Sequence, residues 1–437
     1  MQNDCELTEA DRVKLPARSR RLKVLISAYA CEPGKSSEPG VGWNWARLMA
    51  RHHDVWVLTR ANNRPAIEAA GADGAGIHWV YLDLPAALRF WKRGERGVQL
   101  YYYLWQIGTY FKGRRLHREV GFDLIHHITF GRYWVPMFLA FVPTRSMLGP
   151  VGGGEATPAA LRPLYSIRGK WLERVRDAAH WTAGINPFMR AALRRASLVL
   201  ATTTETAERL KRAGCREVTV CTHFFPQWGT PYDEFCRFGQ IAIRKEKPFR
   251  LITIARLVHW KGLHLSLPAF ARFLRTCPQS EYWIINEGPE MPRLQRMARE
   301  LGIADKVVFW GRLPRLQQVY DKLAQCDVLV HPALHEAFGN VCLEAMAAGR
   351  PVICLDVGGP ALQVTRETGF RIAVDSPQRT LDDLTEAMTL LYQDEAARLR
   401  MGKAARERAK AMFHWEGRSE EMNKFYQQAV SAPPRRG

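Results

Sequence analysis

Acidic residues are scarce in this chain: 43 Asp and Glu stand against 63 Lys and Arg, for a formal charge of +20. A surface of that sign repels cationic partners and favours anionic ones. No apolar run reaches the ~18 residues of a membrane span. The first twenty residues are charged, lack the apolar centre of a signal peptide and read as a disordered tail. The nine cysteines stand singly, with no Cys-x-x-Cys pair. That spacing suits neither a zinc site nor a disulfide framework and fits reduced thiols in a cytoplasmic protein. Cys31 lies in a loop of functional character, but a buried or tolerated thiol is the simpler reading than a nucleophile. There is no Gly-x-x-x-x-Gly-Lys loop, which disfavours a nucleotide hydrolase. No DNA- or RNA-binding signature accompanies the positive charge, so nucleic acid is not an expected partner. Internal repeats and long low-complexity tracts are also missing.

What is present fits two domains. A chain of 437 residues, 47% of them apolar, is long for one compact core and ordinary for two. Strands expected at 22–28, 54–59 and 123–130, then at 250–255, 281–286, 306–310, 328–330 and 351–355, alternate with helical segments. That is the pattern of doubly wound parallel sheets. The irregular stretch 223–247, rich in Pro, Gly and aromatics, separates domains at 21–222 and 248–410. A helix at 411–430 stands apart from the sheet pattern, and 431–437 reads as a frayed tail.

The densest chemistry runs from Asp327 to Val364. Two short branched-apolar strands flank a loop ending in Gly339-Asn340 and a helix stopped by Gly349. Asn340 reads as the N-cap, so the first amides of the helix face the loop, where an anion is favoured. Glu344 lies one turn inside the helix, and Glu336 lies in the loop at the carboxyl end of a strand, where open α/β sheets bind ligands. Taken singly, each carboxylate is equally well explained as a solvated or helix-end charge.

Other segments add candidates. Glu38-Pro39-Gly40-Val41-Gly42 closes a loop after the first strand, where Gly40 and Gly42 admit either a phosphate or a plain tight turn. His126 and His127 are adjacent on one strand, so one at most faces a cleft, with His127 slightly preferred. The Gly149–Glu155 loop (GPVGGGE) reads as a ligand contact or a structural turn. Arg256 and Lys261 follow a strand. Two basic residues alone suggest surface ion pairing, but the strand-end placement and the Lys261-Gly262 pair favour a bidentate fork and a mobile charge facing an anion. In the stretch 89–118, Arg and Lys interleave with Phe90, Trp91, Tyr101, Tyr102, Tyr103, Trp105, Tyr110 and Phe111. That composition suits an anionic membrane surface, or a packed helix with a solvated basic face.

The run Glu336, Phe338, Gly339, Glu344, Ala345, Met346, Ala347, Gly349, Pro351, Val352, Gly358 and Gly359 resembles the signature of glycosyltransferase family 4, retaining enzymes of the GT-B fold. Leu362 departs from it, standing where members often carry Glu. The resemblance covers most of 21–430 and is strongest in the second half. It implies two Rossmann-like domains facing each other across a cleft, the first toward the acceptor and the second binding a nucleotide-diphosphate sugar, with the 411–430 helix crossing back. It implies donor contacts at Gly40, Gly42, Gly288, Phe338, Gly339, Asn340 and Glu344. Catalytic work falls to Glu336, Arg256, Lys261 and one of His126 and His127. Asn286 replaces the first glycine of the family's Gly-x-Gly-Pro turn. The Asp-x-Asp of metal-dependent GT-A enzymes is missing, so neither metal nor cofactor is expected. SAYACEPGKSSEPGVGWNWA and GPVGGGE are similar to bacterial enzymes of exopolysaccharide or lipopolysaccharide assembly. A saccharide or lipid-linked saccharide acceptor follows, with the enzyme peripheral at the inner face of the cell membrane. A GT-B nucleotide-sugar epimerase and a non-catalytic sugar-nucleotide-binding protein are the alternatives.

Overall fold

A computed structural model describes residues 20–35, 38–92, 97–220, 248–413 and 415–431. The expected tails, the 223–247 linker and Arg93 lie outside these but for Arg20 and Ser431 at the tail edges. The first sheet holds seven strands: β1 (Lys23–Ser27), β2 (Asp54–Arg60), β3 (Ile77–Leu82), β4 (Leu124–His127), β5 (Arg145–Val151), β6 (Leu198–Ala201) and β7 (Val218–Val220). All pairs are parallel, in the order β3-β2-β1-β4-β5-β6-β7. The second sheet holds six: β8 (Phe249–Ile254), β9 (Ser280–Ile285), β10 (Val307–Gly311), β11 (Val328–His331), β12 (Val352–Leu355) and β13 (Gly369–Ile372). It is also parallel, in the order β10-β9-β8-β11-β12-β13. The order reverses beside β1 and beside β8, which opens a crevice at the carboxyl ends of each sheet. Helices cover both faces, so central strands such as β4 and β11 are buried at every residue.

Five strands go beyond the sequence reading: β3, β5, β6, β7 and β13. Gly149-Pro150 concealed β5, because proline cannot donate to a ladder. Here the pairing of β5 with β6 shifts register between Leu148 and Val151, so the proline sits at an irregularity, and the expected 149–155 loop begins only after Val151. The first helix starts at Glu38 rather than at 41, which moves Gly40 out of the loop and into its first turn. The expected 411–430 helix resolves into the end of a Glu395–Met412 helix and a separate Trp415–Ser431 helix.

Each domain lends an element to the other. Leu161 and Tyr165, early in the sequence, join the apolar core of the second sheet with Leu257, Leu263 and Phe270. Met422, Tyr426 and Ala429, from the end of the chain, pack with Trp45, Met49 and Val57 of the first. The Tyr426 hydroxyl is hydrogen-bonded to His126 Nδ1 at 2.8 Å, and its ring stacks on His53 at 5.3 Å between centroids.

Candidate active site

The carboxyl ends of both sheets face a cavity of about 1130 Å³. On its C-terminal side β11 ends at His331, and the loop to Gly339 carries His335, Glu336 and Phe338 into the wall. Gly339 adopts φ 79° and is the cap of the Asn340–Ala347 helix. Asn340 is therefore the first helical residue and not the cap. A left-handed residue was required at the turn, and glycine meets that need without strain. Among the described residues, Asn340 Oδ1 is buried with no hydrogen-bond partner. The loop is held from behind by the Gly359 amide, which donates to Glu336 O at 2.8 Å, and by Gln363 Nε2, which donates to Phe338 O at 2.6 Å.

Lys261 Nζ donates to Glu336 Oε2, and His331 Nε2 lies 3.8 Å from the same oxygen. Burial would raise the pKa of Glu336, but Lys261 and His331 outweigh it and hold the carboxyl below its ordinary value. Glu336 is therefore ionised at neutral pH. His331 is lowered as well, to about 3, by burial and Lys261, so its imidazole is neutral at neutral pH. Glu344 has no such neighbour: burial alone pushes it up to about 7, and among the described residues no side-chain hydrogen bond is assigned to it. Two carboxylates of the same wall thus differ in charge state, one held as an anion and the other titrating near neutrality.

The N-terminal side is assembled from more distant pieces. Glu38, Arg132, Trp134, Gly152, Glu155 and Thr202 reach the cavity from four connections, and the Ile167–Ile185 helix adds Arg176 and His180. Glu155 accepts from Thr203 Oγ1 at 2.7 Å, Thr206 Oγ1 at 2.8 Å and the Gly153 amide at 3.0 Å. Glu173, buried on the same helix, is hydrogen-bonded to His259 Nε2 at 3.1 Å and His335 Nε2 at 3.2 Å, both in the other domain. Burial opposes ionisation of Glu173, but these hydrogen bonds and Arg176 keep it below the carboxylate range. His335 also stacks on Trp260 at 5.4 Å. A carboxylate of the first domain thereby fixes the loop that presents Glu336. A side chain at Gly152 would meet Ala337 Cβ at 2.9 Å, so the domains also touch at that point.

The sequence candidates divide accordingly. Lys261, Glu336, Phe338, Gly339, Asn340 and Glu344 line the cavity together. Gly40 and Gly42 do not: a Cβ at either would fall 2.1 Å from the carbonyl oxygen of Lys35 or Ala30, so both glycines admit close backbone packing. Gly288 likewise lies against Leu257 O, at 2.2 Å from a would-be Cβ. Arg256 is exposed and outside the cavity lining, while Asn286 lines it and takes the left-handed φ of 98° its family counterpart glycine would. Neither histidine of the β4 pair faces the cleft. His126 is held by Tyr426 and Gly149 O, and His127 by Tyr102 at 2.8 Å and Ser27 Oγ at 3.0 Å. Burial lowers them to about 3 and about 4, so both are neutral core residues. Cys31 is buried and its thiol pushed up by burial, which removes it as a nucleophile. Of the 89–118 aromatics, Tyr101, Tyr102 and Trp105 are core, whereas Phe90 and Phe111 are exposed. His331, His335, Trp260 and Glu173 were not singled out in the sequence. The first two lie inside the densest motif, as HPALHE, and adjacency to it was their signal.

Two Rossmann-like domains facing across a cleft, with the ligand-side loops of both converging on it, define the GT-B architecture. Residues 37–223 match the family model described as glycosyl transferase 4-like domain, and residues 238–408 match that of glycosyl transferases group 1. The chain thus carries the domain pair of a GT-B glycosyltransferase. It is 32% identical over 170 residues to a glycogen synthase of Mycobacterium tuberculosis, covering 39% of this chain and 40% of that one. It is 29% identical over 232 residues to a D-inositol 3-phosphate glycosyltransferase of Corynebacterium jeikeium, covering 49% and 54%. The matches therefore span about half or less of these relatives' length. Among solved structures, Anabaena Alr3699/HepE in complex with UDP and glucose superposes with a TM-score of 0.58 at 18% identity, covering 93% of this chain and 100% of that one.

Proposed function

We propose that the chain is a retaining glycosyltransferase of family 4 that moves a sugar from a nucleoside-diphosphate sugar to an acceptor hydroxyl without a metal ion. The observation that carries this reading is the cavity wall in which Lys261, Glu336, Glu344 and the amino end of the Asn340–Ala347 helix converge. Lys261 and the open amides of that helix offset charge on the departing diphosphate. Glu336, anchored by Lys261, takes the hydroxyls of the transferred sugar, and Glu344 takes those of the ribose. The acceptor oxygen bonds to the anomeric carbon on the face the diphosphate leaves, and the acceptor proton passes to a phosphate oxygen. Arg256, being outside the cavity, is assigned no contact with the diphosphate.

The acceptor in this reading is a lipid-linked saccharide of bacterial exopolysaccharide or lipopolysaccharide assembly, met at the cytoplasmic face of a membrane. The sequence resemblance and the +20 charge support it. No described helix is long and apolar enough to cross a membrane, so contact with the bilayer would be peripheral. To test the transfer chemistry, the purified protein is incubated with UDP-, GDP- and ADP-sugars in EDTA, and the released sugar is followed by NMR. Slow hydrolysis of one donor that releases the donor's own anomer is expected. Release of the opposite anomer, or epimerised nucleotide sugar without release, contradicts the proposal.

A further inference from the structure

The Ile167–Ile185 helix has a second, exposed face that meets the cavity lining along one edge. Ile167, Trp171, Val175, Trp181 and Ile185 are 88%, 61%, 48%, 69% and 57% exposed. At about 100° per residue they fall on a stripe about 120° wide. Phe188, at the start of the Pro187–Arg195 helix, continues the apolar surface. Arg168, Lys170 and Arg174 are exposed along the same helix. Neither of its carboxylates faces outward unpaired. Glu173 is buried against the two histidines, and Asp177 is bridged to Arg162 at 2.7 Å. The surface is thus apolar, aromatic and cationic.

An exposed apolar patch of this extent marks an interaction surface. Its chemistry selects the partner. Two exposed tryptophans flanked by cations suit the headgroup level of a bilayer, and the charge of the chain, +20, selects an anionic one. Val175 belongs both to the stripe and to the cavity lining, and its neighbour Leu172 lines the cavity too. The stripe and the cleft therefore meet along one edge of one helix.

We propose that this face of the Ile167–Ile185 helix seats the protein on an anionic lipid surface and holds the cleft open at headgroup level. The helix lies in the plane of the interface rather than across it. A saccharide carried on a lipid then reaches the cavity without leaving the bilayer; that consequence rests on the sugar-transfer reading, whereas the docking itself does not. The basic-aromatic helix Val98–Val120 is the weaker candidate, because Tyr101, Tyr102 and Trp105 face the core.

The test is co-sedimentation of the full chain with vesicles of phosphatidylcholine containing phosphatidylglycerol, against phosphatidylcholine alone. Binding to the anionic vesicles and release by salt are expected. Charge reversal at Arg168, Lys170 and Arg174 together lowers vesicle affinity by at least about 100-fold, and Trp171→Ser with Trp181→Ser lowers it by about tenfold or more. Reversal of Lys112, Arg114 and Arg115 leaves it nearly unchanged, with melting temperatures confirming that every variant folds. Equal binding to neutral vesicles, undiminished binding of the helix variants, or equal loss in the Lys112 set overturns the proposal. So does a wild-type dimer that the tryptophan variant converts to monomer, since a second copy would then cover the stripe. Donor hydrolysis is scored without vesicles. Hydrolysis without vesicle binding sinks the docking alone, and vesicle binding without hydrolysis sinks the transfer reading alone.

Discussion

The two walls of the cleft reach similar chemistry by different routes. The C-terminal wall takes His331, His335, Glu336, Asn340 and Glu344 from one short run of chain, on a strand end, a loop and a helix start. The N-terminal wall gathers Glu38, Arg132, Glu155, Thr202 and Arg176 from separate connections. Its acids are occupied within the fold: Glu155 by two threonines and a backbone amide, and Glu38 by the Phe130 amide at 3.2 Å. In the C-terminal wall Glu344 has only burial acting on it. The difference separates a wall whose acids are tied up within their own domain from one that leaves Glu344 with no assigned side-chain hydrogen bond among the described residues.

Removing chemistry from the C-terminal wall is expected to have the largest effect. In the proposed mechanism Lys261→Ala takes the cation from the diphosphate and leaves the half-buried Glu336 without its partner, so turnover should fall by about 10²–10³. Lys261→Ala with Glu336→Gln relieves the unpaired charge, and it should recover stability but not turnover. Recovery of turnover would show that Lys261 serves the fold and not the reaction.

In the N-terminal domain, behind the wall, the expected loss is in stability. Glu173→Ala leaves His259, His335 and Arg176 without their shared carboxylate, at a cost of about 2–3 kcal/mol. Chemical denaturation reads this directly, and unchanged stability would mean that the domains are held elsewhere. Gly42→Ala should cost about 1–3 kcal/mol by overpacking against Ala30 O while donor affinity stays the same. A loss of donor affinity in a variant of unchanged stability would return this glycine to the ligand site.

The smallest effect is a pH dependence at Glu344. Its folded pKa, raised to about 7, lies above the unfolded value, so its contribution to stability is complete at low pH and is lost as pH rises through 7. Glu344→Gln lacks that loss, and its melting temperature relative to wild type should climb between pH 5 and pH 8. Ribose hydroxyls favour the ionised carboxyl, so donor affinity of the wild type should fall about tenfold from pH 8 to pH 6, and that of the variant should stay flat. Parallel profiles for the two proteins would remove Glu344 from donor binding.

How much of this was legible in the sequence follows the same division. The doubly wound class and most strands of the second sheet were readable, because branched-apolar runs alternate there with helices. Lys261, Glu336 and Glu344 could be placed in one wall because a single connection or its neighbour carries them. Asn340 was misplaced by one position, since a polar residue after glycine also has the signature of an N-cap and φ is not written in composition. Gly40 and Gly42 show that a glycine pair after a strand has one appearance for ligand approach and for backbone packing. For His126 and His127 the alternation of faces was correct, but helices close both faces of β4, through Tyr426 on one side and Tyr102 on the other. Glu173 was illegible because its partners lie 86 and 162 residues away.

The most direct measurement is calorimetric titration of UDP, GDP and ADP into the wild type and Lys261→Ala, with EDTA and then with Mn²⁺. Metal-free capture of the diphosphate by Lys261 and the Asn340–Ala347 helix requires that one nucleotide bind equally well in both buffers. Its Kd should rise at least about tenfold in the variant, the loss of one charged hydrogen bond. Binding that requires Mn²⁺, or an unchanged Kd in Lys261→Ala, would contradict that mechanism.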